Sequence, residues 1–150
     1  MRSRLFLTAI LVAIGSLGAL GPAGATLAST ASHGGRPLQA TLLPENQIPP
    51  TDSNGSGTAL VTLNSGQGEV CWDISVTRLT SPVILAHIHQ GGAGVNGPVV
   101  VDFMEPANGL SGCVTADAGL IKQIRRHPAD YYVNVHTTMF PAGEIRGQLG

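Results

Sequence analysis

Residues 69–77 read Glu-Val-Cys-Trp-Asp-Ile-Ser-Val-Thr, and their pattern indicates the fold class of the chain. Its large apolar side chains occupy every second position. Because neighbouring side chains of a β-strand point to opposite faces, the alternation predicts a strand with one face in the core. The preceding segment, Asn64-Ser65-Gly66-Gln67-Gly68, predicts a hairpin turn from an earlier strand. The period of two therefore indicates an all-β protein.

Similar short runs, separated by Gly, Pro, Asn and Asp, continue on both sides of residues 69–77. One segment differs, because Asp117–Arg126 has apolar residues at helical spacing behind a potential N-cap, Asp117, and ends before Pro128. The chain is predicted to form an antiparallel β-sandwich or flattened barrel of about eight strands with one short helix. The other predicted strands are residues 38–42, 57–63, 83–89, 98–103, 110–115, 131–137 and 143–149.

The first residues predict an export signal. Arg2 and Arg4 precede an uncharged, mostly apolar run that is shorter than the about 20 residues of a membrane span, and Ala23-Gly24-Ala25 fits a cleavage site. We expect residues 1–25 to be a signal peptide, residues 26–36 a flexible tether and residues 37–150 one β domain. No membrane span is expected after cleavage, so the predicted location is secreted or periplasmic.

The charge of the chain argues against a nucleic-acid partner. The sequence has 8 basic and 9 acidic residues, and loss of the signal peptide removes two of the basic ones. The mature chain is then mildly acidic, whereas proteins that bind the phosphate backbone are basic. The expected partner is an unidentified extracytoplasmic protein or a metal ion.

Cys71 and Cys113 are the only cysteines in the sequence. An even count in an exported chain predicts a disulfide. The bridge would close a loop of about 42 residues and stabilise the fold by roughly 4 kcal/mol through chain entropy. Without a Cys-x-x-Cys spacing, the pair is not predicted to be a redox centre.

Three histidines are candidate metal ligands. His87 and His89 lie two residues apart in the predicted strand 83–89, so their side chains point to the same side. His136 lies in the predicted strand 131–137 and completes a triangle if the two strands are close. Imidazole binds copper and zinc, and three ligands leave a coordination position open. The pattern predicts a mononuclear copper or zinc site.

Other polar side chains share this face if the strands with polar stripes are neighbours in one sheet. They are expected to hydrogen-bond to the imidazoles and orient them. This predicted supporting set is Asp73, Asn134, Glu144 and Arg146. A plainer interpretation stays open, in which the face is solvated, Glu144 and Arg146 form a surface pair, and the histidines are a polar layer. A buried pair of Arg146 with Asp73 or Glu144 is a further alternative.

Two long motifs carry a resemblance to a known family. The first is Ala86-His87-Ile88-His89-Gln90-Gly91 with Gly94-Val95-Asn96-Gly97-Pro98-Val99-Val100. The second is Tyr132-Val133-Asn134-Val135-His136-Thr137 with Phe140-Pro141-Ala142-Gly143-Glu144-Ile145-Arg146-Gly147-Gln148-Leu149. In these motifs the chain resembles the CHRD domain, named for the developmental antagonist chordin, over about residues 37–149. The resemblance implies an all-β extracytoplasmic module and no settled biochemical activity.

A second resemblance is to the copper–zinc superoxide dismutases, which are β-sandwiches with a His-x-His strand and a later histidine on copper. It implies that His87, His89 and His136 are copper ligands. The chain departs from that family in the loop after His89, where neither histidine nor aspartate is present for a zinc site.

We expect an exported CHRD-type binding module, with a copper or zinc site at the three histidines, rather than an enzyme. The chain has no Gly-x-Ser-x-Gly elbow, and its cysteines are predicted to be oxidised, so no catalytic nucleophile is predicted. One alternative is a copper-dependent oxidoreductase similar to superoxide dismutase. The other is a metal-free structural or adhesive extracellular domain.

Overall fold

The computed structural model describes residues 35–103 and 110–150. The predicted signal peptide, residues 1–25, and residues 26–34 of the predicted tether lie outside the described residues. Arg36, the last residue of that tether, already belongs to the first strand. The elements are β1 (Arg36–Leu42), β2 (Ser56–Asn64), β3 (Glu69–Thr77), β4 (Val83–Gln90), β5 (Val99–Asp102), β6 (Ser111–Thr115), α1 (Ala118–Arg126), β7 (Tyr131–Thr137) and β8 (Ile145–Gln148).

The strands form two antiparallel four-stranded sheets, in the orders β1-β2-β3-β6 and β5-β4-β7-β8. Backbone hydrogen bonds join Gln39 to Gly150 and Leu43 to Arg146, so the sheets meet along the β1–β8 seam. Within the described residues, β5 and β6 end their sheets without pairing with each other. The all-β prediction is confirmed, and the architecture is a sandwich rather than a closed barrel.

The apolar stripes of both sheets fill the interior. The alternation in residues 69–77 places Trp72 inside, where its ring stacks on Phe103 with centroids 4.7 Å apart. Helix α1 begins after Asp117, whose side chain accepts a hydrogen bond from the Leu120 backbone amide. The helix buries two isoleucines against the core. It is too short to cross a membrane, and no other helix among the described residues could do so.

Cys71 and Cys113 form the predicted disulfide. They lie directly opposite each other on β3 and β6, with Cα atoms 4.0 Å apart. The bridge therefore ties the edge strand of one sheet to its neighbour.

Loops cover the second, polar face of sheet β5-β4-β7-β8. All seven residues of β7 are buried, a pattern that a strand with one solvated face does not show. Glu144 and Arg146 are also buried, with exposed fractions of 0% and 1%. The interpretation of this face as a solvated surface with an exposed ion pair is therefore wrong.

Candidate metal centre

Strands β4 and β7 bring the three histidines together. His87 and His89 project from β4 to one face, and His136 projects from the antiparallel neighbour β7. In the register His136 lies opposite Leu85, so it is diagonal to His87 on the same face. One ring nitrogen from each histidine falls within 4.8 Å of the other two. The predicted triangle of imidazoles is therefore present.

Backbone carbonyl groups determine which nitrogen of two rings carries the proton. His89 Nδ1 is 2.9 Å from the Gly97 carbonyl oxygen, and His136 Nδ1 is 2.9 Å from that of Pro141. A carbonyl oxygen only accepts hydrogen bonds, so both Nδ1 atoms donate. In a neutral ring the remaining Nε2 then has a free lone pair, as a metal ligand requires.

The three rings converge on a small space. His87 Nδ1 lies 3.2 Å from His136 Nε2. His89 Nε2 is buried and has no hydrogen-bond partner among the described residues. With all separations at or below 4.8 Å, some point lies within about 2.8 Å of all three nitrogens, compared with metal–nitrogen bonds of about 2.0–2.1 Å. A small inward movement of the rings is enough for coordination.

Burial lowers the pKa of all three histidines. For His87, desolvation is the largest cause, the neighbouring His136 adds to it and Asp102 opposes it, and the pKa falls from 6.5 to about 4. Desolvation also lowers the pKa of His89 and of His136, although hydrogen bonds to carbonyl groups oppose it. The lowered pKa values favour the neutral form of all three rings near pH 7, the protonation state in which imidazole binds a metal.

Arg146 is linked to the histidines through an aromatic ring and a loop. Its guanidinium carbon lies 3.3 Å from the centre of the Tyr132 ring, whose other neighbour is the parallel ring of His89 at 4.8 Å. Arg146 Nη2 also donates to the carbonyl oxygens of Gly92 and Val95. The guanidinium therefore holds the loop of residues 91–97, which ends at the carbonyl group bonded to His89.

Glu144 belongs to a separate hydrogen-bond network. Its carboxylate accepts bonds from the Ser53 hydroxyl, the Thr137 hydroxyl, and both the hydroxyl and the amide of Thr80. Burial raises the pKa of Glu144, but these hydrogen bonds outweigh it and hold the pKa below its usual value. Glu144 fastens residues 53 and 80 to the end of β7, and no described contact joins it to Arg146 or to a histidine ring.

The other two predicted supporting residues differ in position. Asn134 lies opposite His87 on the same face, where its side-chain oxygen accepts a hydrogen bond of 2.6 Å from Gln47. Asp73 lies on β3, in the other sheet, and its side chain is exposed. The expectation that Asp73 joins the histidines, or pairs with Arg146, is corrected by this strand order.

Four residues next to the histidines were not predicted from the sequence. Asp102 lies opposite His87, Tyr132 stacks on His89, and Gly97 and Pro141 supply the carbonyl groups. The alternation of strand 131–137 does place Tyr132 on the same face as His136. The carbonyl contacts depend on loop conformation, which no spacing in the sequence reveals.

The chain matches a known protein family. A family model of the CHRD domain matches residues 38–149, which include the whole histidine cluster and both cysteines. No curated protein and no solved structure shows significant similarity to the chain.

Proposed function

The chain belongs to the CHRD domain family, and on that premise we propose that it is an exported binding module that holds one copper or zinc ion. The ligands are His87, His89 and His136. The family supports a binding module as the kind of function, and the histidine cluster supports a metal ion as what is bound.

The buried Nε2 of His89 is the observation that carries this proposal. It has no partner among the described residues, and its ring is fixed by a hydrogen bond on the opposite nitrogen. A buried acceptor without a hydrogen bond lowers protein stability by about 1–3 kcal/mol, so such groups are rare in folded proteins and often have a function. A metal ion between the rings would satisfy this lone pair.

The chemistry of the ligand set favours copper or zinc. Both cysteines are in the disulfide, so they offer no thiolate. Neutral imidazoles suit copper and zinc, whereas calcium and magnesium prefer oxygen ligands. Three ligands would leave a further coordination position for water or for a group supplied by a partner.

Other predicted residues support the ligands indirectly in this proposal. Arg146 fixes the loop that orients His89, while Asn134 lies opposite His87 in the strand register and accepts a hydrogen bond from Gln47. Glu144 anchors the loop around Ser53 that covers the same face. Asp73 has no part in the site.

The proposed location is outside the cytoplasm. A disulfide within the domain fits an oxidising compartment, and the predicted signal peptide, residues 1–25, would direct the chain there.

Isothermal titration of the purified protein with Zn(II) and Cu(II), together with mass spectrometry of the complex, tests the proposal. We expect one ion per chain. Loss of a residue that supports a ligand typically weakens metal binding by about 10–100-fold. His89→Ala removes a ligand itself, so it should weaken binding by more than this. The matched control is His127→Ala, which removes an exposed histidine outside the cluster and should leave the affinity unchanged. Equal affinity of His89→Ala and the control would refute the site and favour a metal-free structural domain.

A further inference from the structure

Asp102 faces the outer nitrogen of His87. It lies on β5, directly opposite His87 in the strand register, and Oδ1 is 3.6 Å from Nε2. The Asp102 side chain is 51% exposed, whereas that of His87 is 9% exposed. The separation is too long for a hydrogen bond.

The hydrogen bonds of His136 locate that proton. His136 Nδ1 donates to the Pro141 carbonyl oxygen, which leaves Nε2 of the neutral ring as an acceptor. The 3.2 Å contact with His87 Nδ1 is therefore a hydrogen bond in which His87 donates. Neutral His87 then has no proton on Nε2, and two acceptors, Nε2 and the Asp102 carboxylate, face each other.

We propose that Asp102 is a positioning residue that switches His87 between two tautomers when the metal binds. In the metal-free protein His87 carries its proton on Nδ1. On binding, the Nδ1–H bond breaks, its proton leaves to solvent and Nδ1 forms the bond to the metal. A proton taken from solvent forms the Nε2–H bond, which donates to Asp102, so the ring stays neutral.

This inference rests on the proposed function and completes its ligand set. The metal would be held by Nδ1 of His87 and by Nε2 of both His89 and His136. The last two rings need no change of tautomer, because their Nδ1 atoms already donate to carbonyl groups. A carboxylate behind a ligating histidine fixes the ring and makes it a more basic ligand.

Long-range ¹H–¹⁵N NMR of the histidine rings reads the tautomers directly. Without metal, His87 should be protonated at Nδ1, and after zinc is added it should be protonated at Nε2. Asp102→Ala should weaken zinc binding by about 10–100-fold, and Asp102→Glu should restore most of it. Asp73→Ala is the matched control, since it removes an exposed strand aspartate from the other sheet.

The outcomes separate the two proposals. Two NMR results would overturn the role of Asp102 but keep the metal site, provided that zinc binds all three histidines. In one, His87 is protonated at Nε2 before zinc is added. In the other, His87 coordinates zinc through Nε2. Equal zinc affinity of Asp102→Ala and Asp73→Ala does the same. If zinc shifts none of the three rings, both proposals fail.

Discussion

Arg146 and Tyr132 lie face to face on neighbouring strands, with the guanidinium carbon 3.3 Å from the ring centre. Arg146 has no carboxylate partner among the described residues, and instead its guanidinium donates to loop carbonyl groups and to the Asn96 side chain. A desolvated cation over an aromatic ring contributes about 2 kcal/mol or more. This buried charge is thus compensated by a ring and by backbone dipoles, and it joins β8 to the loop beside His89.

Arg146→Met should destabilise the protein by about 3 kcal/mol, because it removes charge-assisted hydrogen bonds and leaves buried carbonyl groups without a donor. Urea unfolding monitored by Trp72 fluorescence measures this. The matched control is Arg36→Met, since the exposed Arg36 side chain donates to the Arg125 carbonyl group; it should change stability by less than about 0.5 kcal/mol. Similar losses in both variants would contradict the structural role given to Arg146.

Gly97→Ala should weaken zinc binding although Gly97 is not one of the proposed ligands. A Cβ at this position would overlap the Gln90 carbonyl group, so the backbone must move and with it the carbonyl group that orients His89. We expect a loss of about 10–100-fold in affinity, as for other contacts behind a ligand. Gly92→Ala is the control in the same loop, because a Cβ there meets nothing within 4 Å. If titration finds equal affinities for the two variants, the Gly97 carbonyl does not orient His89.

Removing the disulfide should cost about 4 kcal/mol, the chain-entropy value for a loop of this length. Cys71→Ala/Cys113→Ala should therefore melt well below the wild-type protein in thermal unfolding followed by circular dichroism. Dithiothreitol should lower the melting temperature of the wild type and leave that of the double variant unchanged. A wild-type melting temperature insensitive to full reduction would show that the bridge adds no stability.

Glu144 should make the protein sensitive to acid. Its pKa is lower in the folded protein than the ordinary value of 4.5, so the unfolded chain binds the proton more readily. The stabilisation is complete above about pH 4.5 and decreases as the pH falls toward the folded pKa.

Glu144→Gln should remove this part of the pH dependence and cost about 2 kcal/mol or more at neutral pH, because an amide cannot accept all the bonds of the carboxylate. Urea unfolding at a series of pH values measures both effects. Glu45→Gln, which changes a surface carboxylate, provides the control. An unchanged acid slope in Glu144→Gln would exclude Glu144 as the source.

His87 should add a second, separate pH dependence in the metal-free protein. Its pKa is about 4 in the folded protein, compared with the ordinary value of 6.5 for histidine. The unfolded state therefore binds more protons between these two pH values. Stability should therefore fall as the pH is lowered from 6.5 toward 4 and should not depend on this group above that window. His87→Asn should flatten the slope in chelator-treated samples, whereas exposed His127→Asn should not. A slope unaffected by His87→Asn would mean that the ring is not buried in its neutral form.

Local pattern was sufficient for the elements of this fold. The alternation predicted strands 69–77 and 131–137 with the bounds that the structure has, and the cap at Asp117 predicted the start of the helix. The Cys71–Cys113 bridge followed from cysteine count and context. The polar stripe of each strand was also apparent, because pleating links every second side chain regardless of the partner strand.

The pattern did not show which polar stripes lie side by side, because this depends on how the strands pair. Asp73 shares the alternation of the histidine strands yet lies in the other sheet, because period two assigns a residue to a face and does not choose its neighbours. Glu144 and Arg146 share a stripe without pairing, since loops far away in sequence bring Ser53 and the Gly92 carbonyl to them. Local sequence pattern was therefore enough to predict the strands, the helix, the disulfide and the candidate ligands. The convergence of the ring nitrogens became apparent only in the folded structure, because long-range strand pairing and loop carbonyl groups fix the rings.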